Sequence, residues 1–448
     1  MHEPTSQDAA AAQEMLEWAM DRLADRRSVL PPVAPSPELP TLGAHGIGTG
    51  PALHMLRDLV FPTAIPPDHP RYLAFIPGTT TVAAALADMA LSAAMVFGGS
   101  RLEAGAAADA EDDVVRWLAD AAGFPPSAGG TFVSGGSIAN LSALVAARGD
   151  RCAAPRRQAI IMGASGHASL GAAARIMGCE LVVAPPADAH ERLTPSALEA
   201  ALAGRDPGDI VAVVATAGAT NTGAVDDLAG VANVCGERGI WLHVDGAYGG
   251  AALLSPRARP LFNGIERADS FIVDPHKWLY SPFDCAAVIY RDPAVAARAL
   301  TQRAAYLDAL SSDGAHNPFD LAIHLSRRAR GLPLWASVLA YGTDAYTQAV
   351  DDCFSVARYA AERVAASSQL EIALEPALTV LLVRRLGWES ADYAAWCEDA
   401  LRRGLAFLTP TMHAGETLLR FCFVNPLTTR DDIDLVLTDL AEAPPTEE

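Results

Sequence analysis

The chain has 448 residues, of which 51% are hydrophobic, and it carries 33 basic against 53 acidic side chains, a formal net charge of -20. A chain of this length usually divides into two packed domains, and its hydrophobic fraction supports an extensive buried core. The negative charge argues against nucleic acid or an anionic membrane surface as a partner, because both bind basic patches, and it favours small molecules instead.

The cellular compartment is predicted from membrane and signal segments and from the spacing of the cysteines. No apolar run reaches the roughly 18 residues that a membrane helix needs. The N-terminal stretch MHEPTSQDAA lacks the basic-then-apolar order of a signal peptide. The seven cysteines are scattered singly without a CxxC pair, which is typical of reduced thiols and gives no zinc-site spacing. We therefore expect a cytoplasmic protein with neither a disulfide framework nor a metal site.

The first predicted element is an amphipathic helix over residues 8–26, followed by the Pro-rich linker LPPVAPSPELP. The apolar face of this helix consists of Met15, Leu16, Ala19, Met20 and Leu23. An amphipathic arm before a linker is expected to pack on a neighbour such as another subunit. Residues 1–70 are assigned to this arm and linker.

In residues 71–340, short β-rich runs alternate with Ala-rich helical stretches. The predicted strands are AIIMGA, ELVVAPP, DIVAVVATAG, IWLHVD, SFIVD and AAVIYRD. This alternation predicts a large α/β domain whose mostly parallel sheet carries helices on both faces. Residues 341–448 are expected to form a small α+β domain, with strands in LTVLLVRRL and TLLRFCFVN and a closing helix in RDDIDLVLTDLAEA.

The stretch DPHKWLY, residues 274–280, contains Lys277, which is the only lysine in the chain. Because the chain uses Arg for its other basic side chains, solubility alone does not account for this lysine. A lysine, unlike an arginine, can lose its proton and form an imine with a carbonyl group. The alternative is a lysine whose stem packs on apolar neighbours at a strand end.

In an open α/β sheet, ligands bind beyond the carboxyl ends of the strands, and two polar clusters are predicted there. The stretch TFVSGGSIANLSAL ends an apolar run in Gly136 and Ser137 at the start of a helix, which suits a phosphate group or simply a capping serine. The stretch WLHVDGAYGG ends a strand in Asp245. This carboxylate could hold a proton on a cofactor ring nitrogen, cap a helix or pair with a cation.

Two further clusters complete a pattern. In VATAGATNTGAVDD, Thr220 and Asp226 follow a strand and either line a pocket or build a turn. In MGASGHASLGAAARIMG, His167 precedes a helix, where a lone histidine is more often structural. Together the clusters offer a lysine, a carboxylate, a helix N-terminus and a flat imidazole, the groups that pyridoxal 5'-phosphate (PLP) requires. The chain lacks the defining residues of Rossmann, P-loop and zinc motifs.

Six stretches resemble, in order, landmarks of the group II PLP-dependent amino-acid decarboxylases, a family that includes aromatic-L-amino-acid, tyrosine, histidine and glutamate decarboxylases. They are HPRYLAFIPG (69–78), TFVSGGSIANLSAL (131–144), GHASL (166–170), WLHVDGAYGG (241–250), DSFIVDPHKWLYSPFDC (269–285) and SRRARGLPLW (326–335). The resemblance implies fold type I with a seven-stranded sheet in the large domain. It also implies PLP as the cofactor and a homodimer whose active sites lie at the subunit interface.

The resemblance assigns roles residue by residue. It makes Lys277 the lysine that binds PLP, Asp245 the partner of the ring nitrogen and His167 the residue stacked on the ring. The positions matched to the phosphate and to the wall around the ring are Gly136, Ser137, His276, Thr220 and Ala247. The implied reaction is the loss of CO2 from an L-amino acid.

The reaction product depends on a proton donor. Family members usually carry a tyrosine, on a mobile loop upstream of the SRR landmark, that protonates Cα and gives an amine. Between Leu307 and Ala340 this chain has no tyrosine, and HNPFDLAIHLSRR places Pro318 or Phe319 near that position. Members with phenylalanine there let the carbanion meet O2 and yield an aldehyde, ammonia and peroxide. The resemblance thus favours decarboxylation coupled to oxidative deamination, while a simple decarboxylase with His316 or His324 as the donor stays open.

The kind of substrate side chain is predicted from positions of the pocket wall at which this chain differs from aromatic-specific relatives. Aromatic-specific relatives have tyrosine and tryptophan where this chain has Phe75 in LAFIPG, and Arg101 with Glu103 in GGSRLEAG. Two charges near a substrate cleft favour a polar or bulky amino acid, unless Arg101 and Glu103 merely pair with each other at the surface.

Two other classes of protein fit parts of the pattern. A fold type I lyase or aminotransferase would use the same lysine and aspartate, but it would need an arginine for the substrate carboxylate, for which Arg420 in TLLRFCF is the candidate. A cofactor-free paralogue that serves as a scaffold would be colourless when purified.

Overall fold

The computed structural model describes residues 3, 5–27, 30, 37–151, 158–305, 307 and 316–445 of the chain. The helices are α1 (Ser6–Ala24), α2 (Thr49–Met55), α3 (Val82–Ala94), α4 (Arg101–Ala121), α5 (Gly136–Arg151), α6 (Ala168–Met177), α7 (Pro195–Leu202), α8 (Leu228–Arg238), α9 (Pro275–Trp278), α10 (Pro293–Leu300), α11 (Leu332–Tyr341), α12 (Thr343–Ala365), α13 (Ser390–Arg402) and α14 (Arg430–Glu442). The strands are β1 (Gly129–Val133), β2 (Ala159–Met162), β3 (Glu180–Val183), β4 (Ile210–Thr216), β5 (Leu242–Asp245), β6 (Ser270–Val273), β7 (Ala286–Tyr290), β8 (Leu370–Leu374), β9 (Val380–Arg385), β10 (Thr409–His413) and β11 (Glu416–Cys422). Within the described ranges, no helix is both long and apolar enough to cross a bilayer.

The large sheet has seven strands in the order β1-β7-β6-β5-β4-β2-β3. Strand β7 runs antiparallel to both β1 and β6, whereas the pairs from β6 to β3 are parallel. The six predicted strands of this region are present as β2 to β7, so the expected mostly parallel α/β sheet is confirmed. The run TFV, for which no strand is predicted, forms part of β1 at one edge.

The core lies on both faces of this sheet because β4 and its neighbours are apolar on both sides. Every residue of β4 is buried. Val213 and Ala215 pack into one apolar cluster, whereas Ala212 and Val214 pack into a second cluster with the inner face of α5. This split follows from the alternation of side chains along a strand, and it explains why the predicted parallel strands read as continuous apolar runs.

A second sheet has four antiparallel strands in the order β10-β11-β9-β8. The predicted strands in LTVLLVRRL and TLLRFCFVN form β9 and β11, and the predicted closing helix forms α14. Buried side chains of α12, α13 and α14 cover this sheet in a third apolar cluster. Strands β8 and β10, which have no counterpart in the prediction, lie at its two edges.

The predicted arm helix is α1, which begins with a capping box. The Asp8 N–H donates to Thr5 Oγ1 at 3.2 Å, and the Thr5 N–H donates to Asp8 Oδ2 at 2.8 Å. Leu16 and Met20 of its predicted apolar face are 50% and 44% exposed. The boundaries at residues 70 and 340 stay predictions.

The topology of the large sheet brings several strand ends to one edge. Strands β4, β5 and β6 are parallel neighbours, so their carboxyl ends Thr216, Asp245 and Val273 lie side by side. Strand β1 ends at the same edge, because it and β6 are both antiparallel to β7. The first residue of α5, Gly136, follows β1 after two residues.

Candidate active site

A cavity of about 400 Å³ opens at this edge, where open α/β sheets place their ligands. Its wall includes every residue that the sequence matches to the cofactor. These are Gly136, Ser137, His167, Thr220, Asp245, Ala247, His276 and Lys277. The fold thus joins side chains that are far apart in the sequence.

Lys277 reaches the cavity from α9, the short helix that follows β6. Its Nζ lies 2.9 Å from Oδ2 of Asp274, and the Asp274 side chain is 2% exposed against 23% for Lys277. The buried carboxylate therefore holds the lysine amine at the cavity wall. Asp274 is not among the predicted site residues, although its position directly after the strand SFIV is the same signal that identifies Asp245.

The start of α5 lies against the same carboxylate. A Cβ atom added to Gly136 would lie 2.9 Å from Asp274 Oδ2 and 3.1 Å from Oδ1, so a side chain there would push the helix away. Glycine keeps the first turn of α5 close to the cavity, where the backbone N–H groups of a helix start attract an anion. Asp274 Oδ1 is buried with no hydrogen-bond partner among the described atoms.

Asp245 ends β5 and is 5% exposed. Its Oδ1 accepts from the Ala247 N–H at 3.1 Å, and its Oδ2 accepts from Asn140 Nδ2 at 2.9 Å. These two donors hold the carboxylate in place at the cavity wall. Asn140 is absent from the sequence prediction, and the signal that would have found it is a polar residue on the buried face of an apolar helix.

His167 is the N-cap residue of α6. Its Nδ1 accepts from the Ser169 N–H at 3.2 Å and lies 2.9 Å from Ser169 Oγ. These contacts fix the plane of the imidazole at the cavity wall. A fixed flat ring is what stacking on a cofactor requires.

The His276 side chain links α9 to Cys285, the residue that precedes β7. Its Nδ1 lies 2.6 Å from the Cys285 carbonyl oxygen, and its Nε2 lies 3.7 Å from Asp274 Oδ2. Burial lowers the pKa of His276 despite the nearby carboxylate. The imidazole is therefore neutral at pH 7, and it serves as a hydrogen-bonding group at the wall.

Arg420 of β11 supports the cavity from outside its wall. Its Nε donates to the Thr220 carbonyl oxygen at 2.8 Å, and its Nη1 donates to the Phe75 carbonyl oxygen at 2.7 Å. Arg420 is 6% exposed, and its Nη2 has no partner among the described atoms. The predicted substrate residue Phe75 is 56% exposed and does not line the cavity.

The other predicted substrate residues, Arg101 and Glu103, also lie outside the cavity wall. Arg101 Nη1 donates to Asp109 at 2.7 Å, and its Nη2 contacts Asp112. Glu103 Oε2 accepts from Ser100 Oγ at 2.8 Å. Both charged groups are therefore engaged around the first turns of α4, with partners other than each other.

These partners predict a weak effect of Arg101 on substrate binding. We expect Arg101→Ala to leave KM unchanged within about two-fold and to lower the free energy of unfolding by about 1 kcal/mol or less, because its carboxylate partners are largely exposed. Steady-state kinetics and denaturant unfolding measure both quantities. Arg298→Ala, which removes another exposed ion pair, to Asp150, is the matched control. A KM raised ten-fold in Arg101→Ala alone would place Arg101 in the substrate site.

Phe319 lies in a short 3-10 turn over Pro318–Leu321. It is 4% exposed, its N–H donates to the Gly99 carbonyl oxygen at 3.2 Å, and it does not line the cavity. The alternative donors His316 and His324 are absent from the wall as well. None of the three side chains is brought to the site within this chain.

The residues at the wall fit PLP. They supply an amine for its aldehyde, a carboxylate for its ring nitrogen, a fixed imidazole and a helix start for its phosphate. Among the described residues, no group of His, Cys, Asp and Glu side chains is arranged to hold a metal ion.

Residues 54–385 match the family described as the pyridoxal-dependent decarboxylase conserved domain. The chain belongs to the pyridoxal-dependent decarboxylase family. The family predicted from the sequence is thereby confirmed, and with it PLP as the cofactor.

Curated relatives of this decarboxylase act on different substrates. It is 32% identical over 398 residues to the aromatic-L-amino-acid decarboxylase of Bacillus atrophaeus, covering 85% of this chain and 82% of the relative. It is also 32% identical over 437 residues to the L-2,4-diaminobutyrate decarboxylase of Rhizobium meliloti (strain 1021), covering 93% and 85%. Identity to the phenylacetaldehyde synthase of Petunia hybrida is 29% over 413 residues, covering 85% and 81%.

A solved structure shows the same fold. The Oryza sativa TDC determined with PLP and tryptamine superposes with a TM-score of 0.89 over 98% of both chains, at 24% identity. This similarity, with the seven-stranded sheet, confirms fold type I for the family member described here.

Proposed function

We propose that this decarboxylase removes the α-carboxylate of an L-amino acid as CO2, with PLP bound in the cavity and anchored on Lys277. The observation that carries the proposal is the convergence of the only lysine in the chain with Asp245, His167 and the start of α5 on one cavity wall. A structural lysine at a strand end would have no reason to meet all three.

Each residue of the wall has a task in this proposal. Bound PLP supplies an electron sink for the electron pair that stays on Cα when CO2 departs. Asp245, held by the Ala247 and Asn140 N–H groups, would pair with the ring nitrogen, and His167 would lie against the face of the ring. The start of α5 binds the phosphate. Asp274 would pair with the Lys277 amine whenever that amine is not bound to the cofactor. Fixing the ring in this way lets the pocket orient the bond that breaks.

The substrate is proposed no more narrowly than an L-amino acid. Arg101 and Glu103, the residues that favoured a polar or bulky side chain, bond Asp109 of α4 and the N-cap residue Ser100 instead of lining the cavity. The curated relatives include both aromatic and diamino acid decarboxylases, so similarity favours neither class. Arg420 Nε and Nη1 donate to two backbone carbonyl groups and Arg420 lies outside the cavity wall, so it does not serve as the carboxylate-binding arginine of an aminotransferase in this proposal.

We also infer a homodimer with active sites at the subunit interface. Support comes from exposed apolar side chains on the arm helix and near the cavity. Leu16, Met20 and Phe283 are 50%, 44% and 58% exposed, and Phe283 lines the cavity itself. A second copy would cover such surfaces.

The proposed product is an amine, with Tyr306 as the donor of the proton to Cα. Phe319 is buried in a turn tied to Gly99 and does not line the cavity, so it has no role in this proposal. Tyr306, which lies outside the described residues, directly precedes the range that has no tyrosine. The second candidate is oxidative deamination to an aldehyde, and the identity to the Petunia hybrida synthase favours it.

Simultaneous recording of CO2 release and O2 uptake across a panel of L-amino acids tests these proposals. We expect CO2 without O2 for one substrate class, together with an equimolar amine. Matched CO2 and O2 with peroxide would select the oxidative candidate. No CO2 release by yellow, PLP-loaded protein with any amino acid would contradict decarboxylation.

A further inference from the structure

A buried chain of polar side chains lies behind Asp245. Trp241 Nε1 donates to Ser270 Oγ at 3.0 Å, and Ser270 Oγ lies 2.8 Å from His243 Nδ1. His243 Nε2 lies 2.9 Å from Asn140 Oδ1, and Asn140 Nδ2 donates to Asp245 Oδ2 at 2.9 Å. All five side chains belong to residues that are at most 5% exposed.

The chemistry of the two ends fixes the direction of every hydrogen bond between them. An indole N–H can only donate, and an ionised carboxylate can only accept. Burial lowers the pKa of His243 to about 4, so its ring is neutral and carries one proton. Because Asn140 Nδ2 donates to Asp245, Asn140 Oδ1 faces His243 Nε2 and can only accept its proton, which leaves His243 Nδ1 to accept from the Ser270 hydroxyl. The ring proton is therefore on Nε2 and points at Asn140 Oδ1.

This direction locks the side-chain amide of Asn140. Because the His243 N–H holds Asn140 Oδ1, the two N–H bonds of the amide face Asp245 and Ser169. Asn140 Nδ2 donates to Ser169 Oγ at 3.1 Å. Ser169 in turn bonds His167 Nδ1 through its hydroxyl and backbone N–H. One amide group thus contacts the carboxylate assigned to the ring nitrogen and the serine that holds the stacking imidazole.

We propose that Asn140 is a positioning residue that sets Asp245 and His167 together around the cofactor ring, and that His243 fixes the orientation of its amide. The inference rests on the proposed function, in which Asp245 faces the ring nitrogen. The Asn140 amide holds the Asp245 carboxylate at the cavity wall, where it would pair with the protonated ring nitrogen of bound PLP. Without Asn140, Asp245 loses one of its two donors, and Ser169 Oγ loses the donor that orients its hydroxyl toward His167.

The holoenzyme loaded with PLP that is 15N-labelled at the ring nitrogen tests this inference directly, since the 15N chemical shift reports the ring proton. We expect a protonated nitrogen in the wild type and a shift toward the unprotonated value in Asn140→Ala. Loss of a hydrogen bond to a charged group should also weaken PLP binding to the apoprotein about ten-fold or more. Ser142→Ala, two residues along the same helix and equally buried, is the matched control and should change neither readout.

A second pair of variants separates positioning from folding. His243→Phe removes the N–H that locks Asn140 and should move the 15N shift in the same direction as Asn140→Ala. His243→Gln keeps a side-chain N–H donor and should restore most of the wild-type shift. A wild-type shift in all variants that bind PLP would overturn the inference. An unprotonated ring nitrogen in the wild type would instead overturn the assignment of Asp245 in the proposed function. Thermal unfolding of each apoprotein shows which variants fold.

Discussion

Replacing Lys277 with alanine should reduce CO2 release on the order of a thousand-fold or more, because it removes the covalent anchor of the cofactor. The purified variant should bind PLP only non-covalently. Lys277→Arg is the matched variant, since it keeps a cation beside Asp274 Oδ2 but cannot form a covalent bond to the aldehyde. We expect it to be as inactive as the alanine variant.

The sequence makes this prediction unusually sharp. Lys277 is the only lysine in the chain, so borohydride reduction of the PLP-loaded protein has one lysine to label. Peptide mapping by mass spectrometry should find the reduced cofactor on the peptide that contains DPHKWLY and nowhere else. An unlabelled peptide from protein that releases CO2 would contradict the proposed anchor.

Folding must be measured beside activity in both variants. Asp274 is buried and its Oδ2 is paired with Lys277, so the alanine variant leaves a buried carboxylate without its cation. Lys277→Arg preserves that charge and should unfold closer to the wild type. Equal loss of activity with unequal loss of stability would show that the anchor, rather than the fold, carries the effect.

The residues that the sequence predicts well are those at strand ends. Asp245 and Lys277 follow apolar runs, and the ends of parallel strands must meet at one edge of the sheet. Asn140 and Asp274 contact these residues at 2.9 Å but are not in the prediction. Asn140 lies within a helix, where a polar residue is usually predicted to face solvent. Its role depends on which face of α5 is buried, and packing decides that.

Arg101 is a predicted site residue whose partners could not be identified from the sequence. Its charge near a predicted cleft suggests a substrate contact, yet the Arg101 N–H donates to Asn317 Oδ1 and its side chain bonds carboxylates on α4. A partner 216 positions away cannot be read from local spacing. Spacing identifies the type of a side chain, whereas the tertiary fold decides which partner satisfies it.

The strands absent from the prediction share a position in the fold. Strands β1, β8 and β10 are all edge strands of their sheets. Strand β10 contains Pro410, which an edge tolerates and a central strand does not. Central strands such as β4 are buried on both faces and therefore appear in the sequence as long apolar runs. These runs are what made the central strands predictable.

Replacing Tyr306 with phenylalanine should change the product more than the rate of CO2 release. If Tyr306 gives its proton to Cα, Tyr306→Phe lets the electron pair on Cα persist until O2 accepts it. We expect the amine to fall about a hundred-fold relative to CO2, because a positioned general acid contributes at least that factor in rate. Aldehyde, ammonia and peroxide should appear in its place, with O2 uptake matching CO2.

Two controls isolate the phenol. Tyr341→Phe removes the hydroxyl of an exposed tyrosine outside the cavity wall and should leave the product ratio unchanged. Phe319→Tyr should also leave it unchanged, since its new hydroxyl would be buried in the turn tied to Gly99 and would affect stability instead. If Phe319→Tyr shifted a wild-type aldehyde product toward amine, the donor position would be at 319. O2 uptake by the wild type itself would exclude Tyr306 as an effective donor, because a chain that protonates Cα quickly leaves no electron pair for O2 to take.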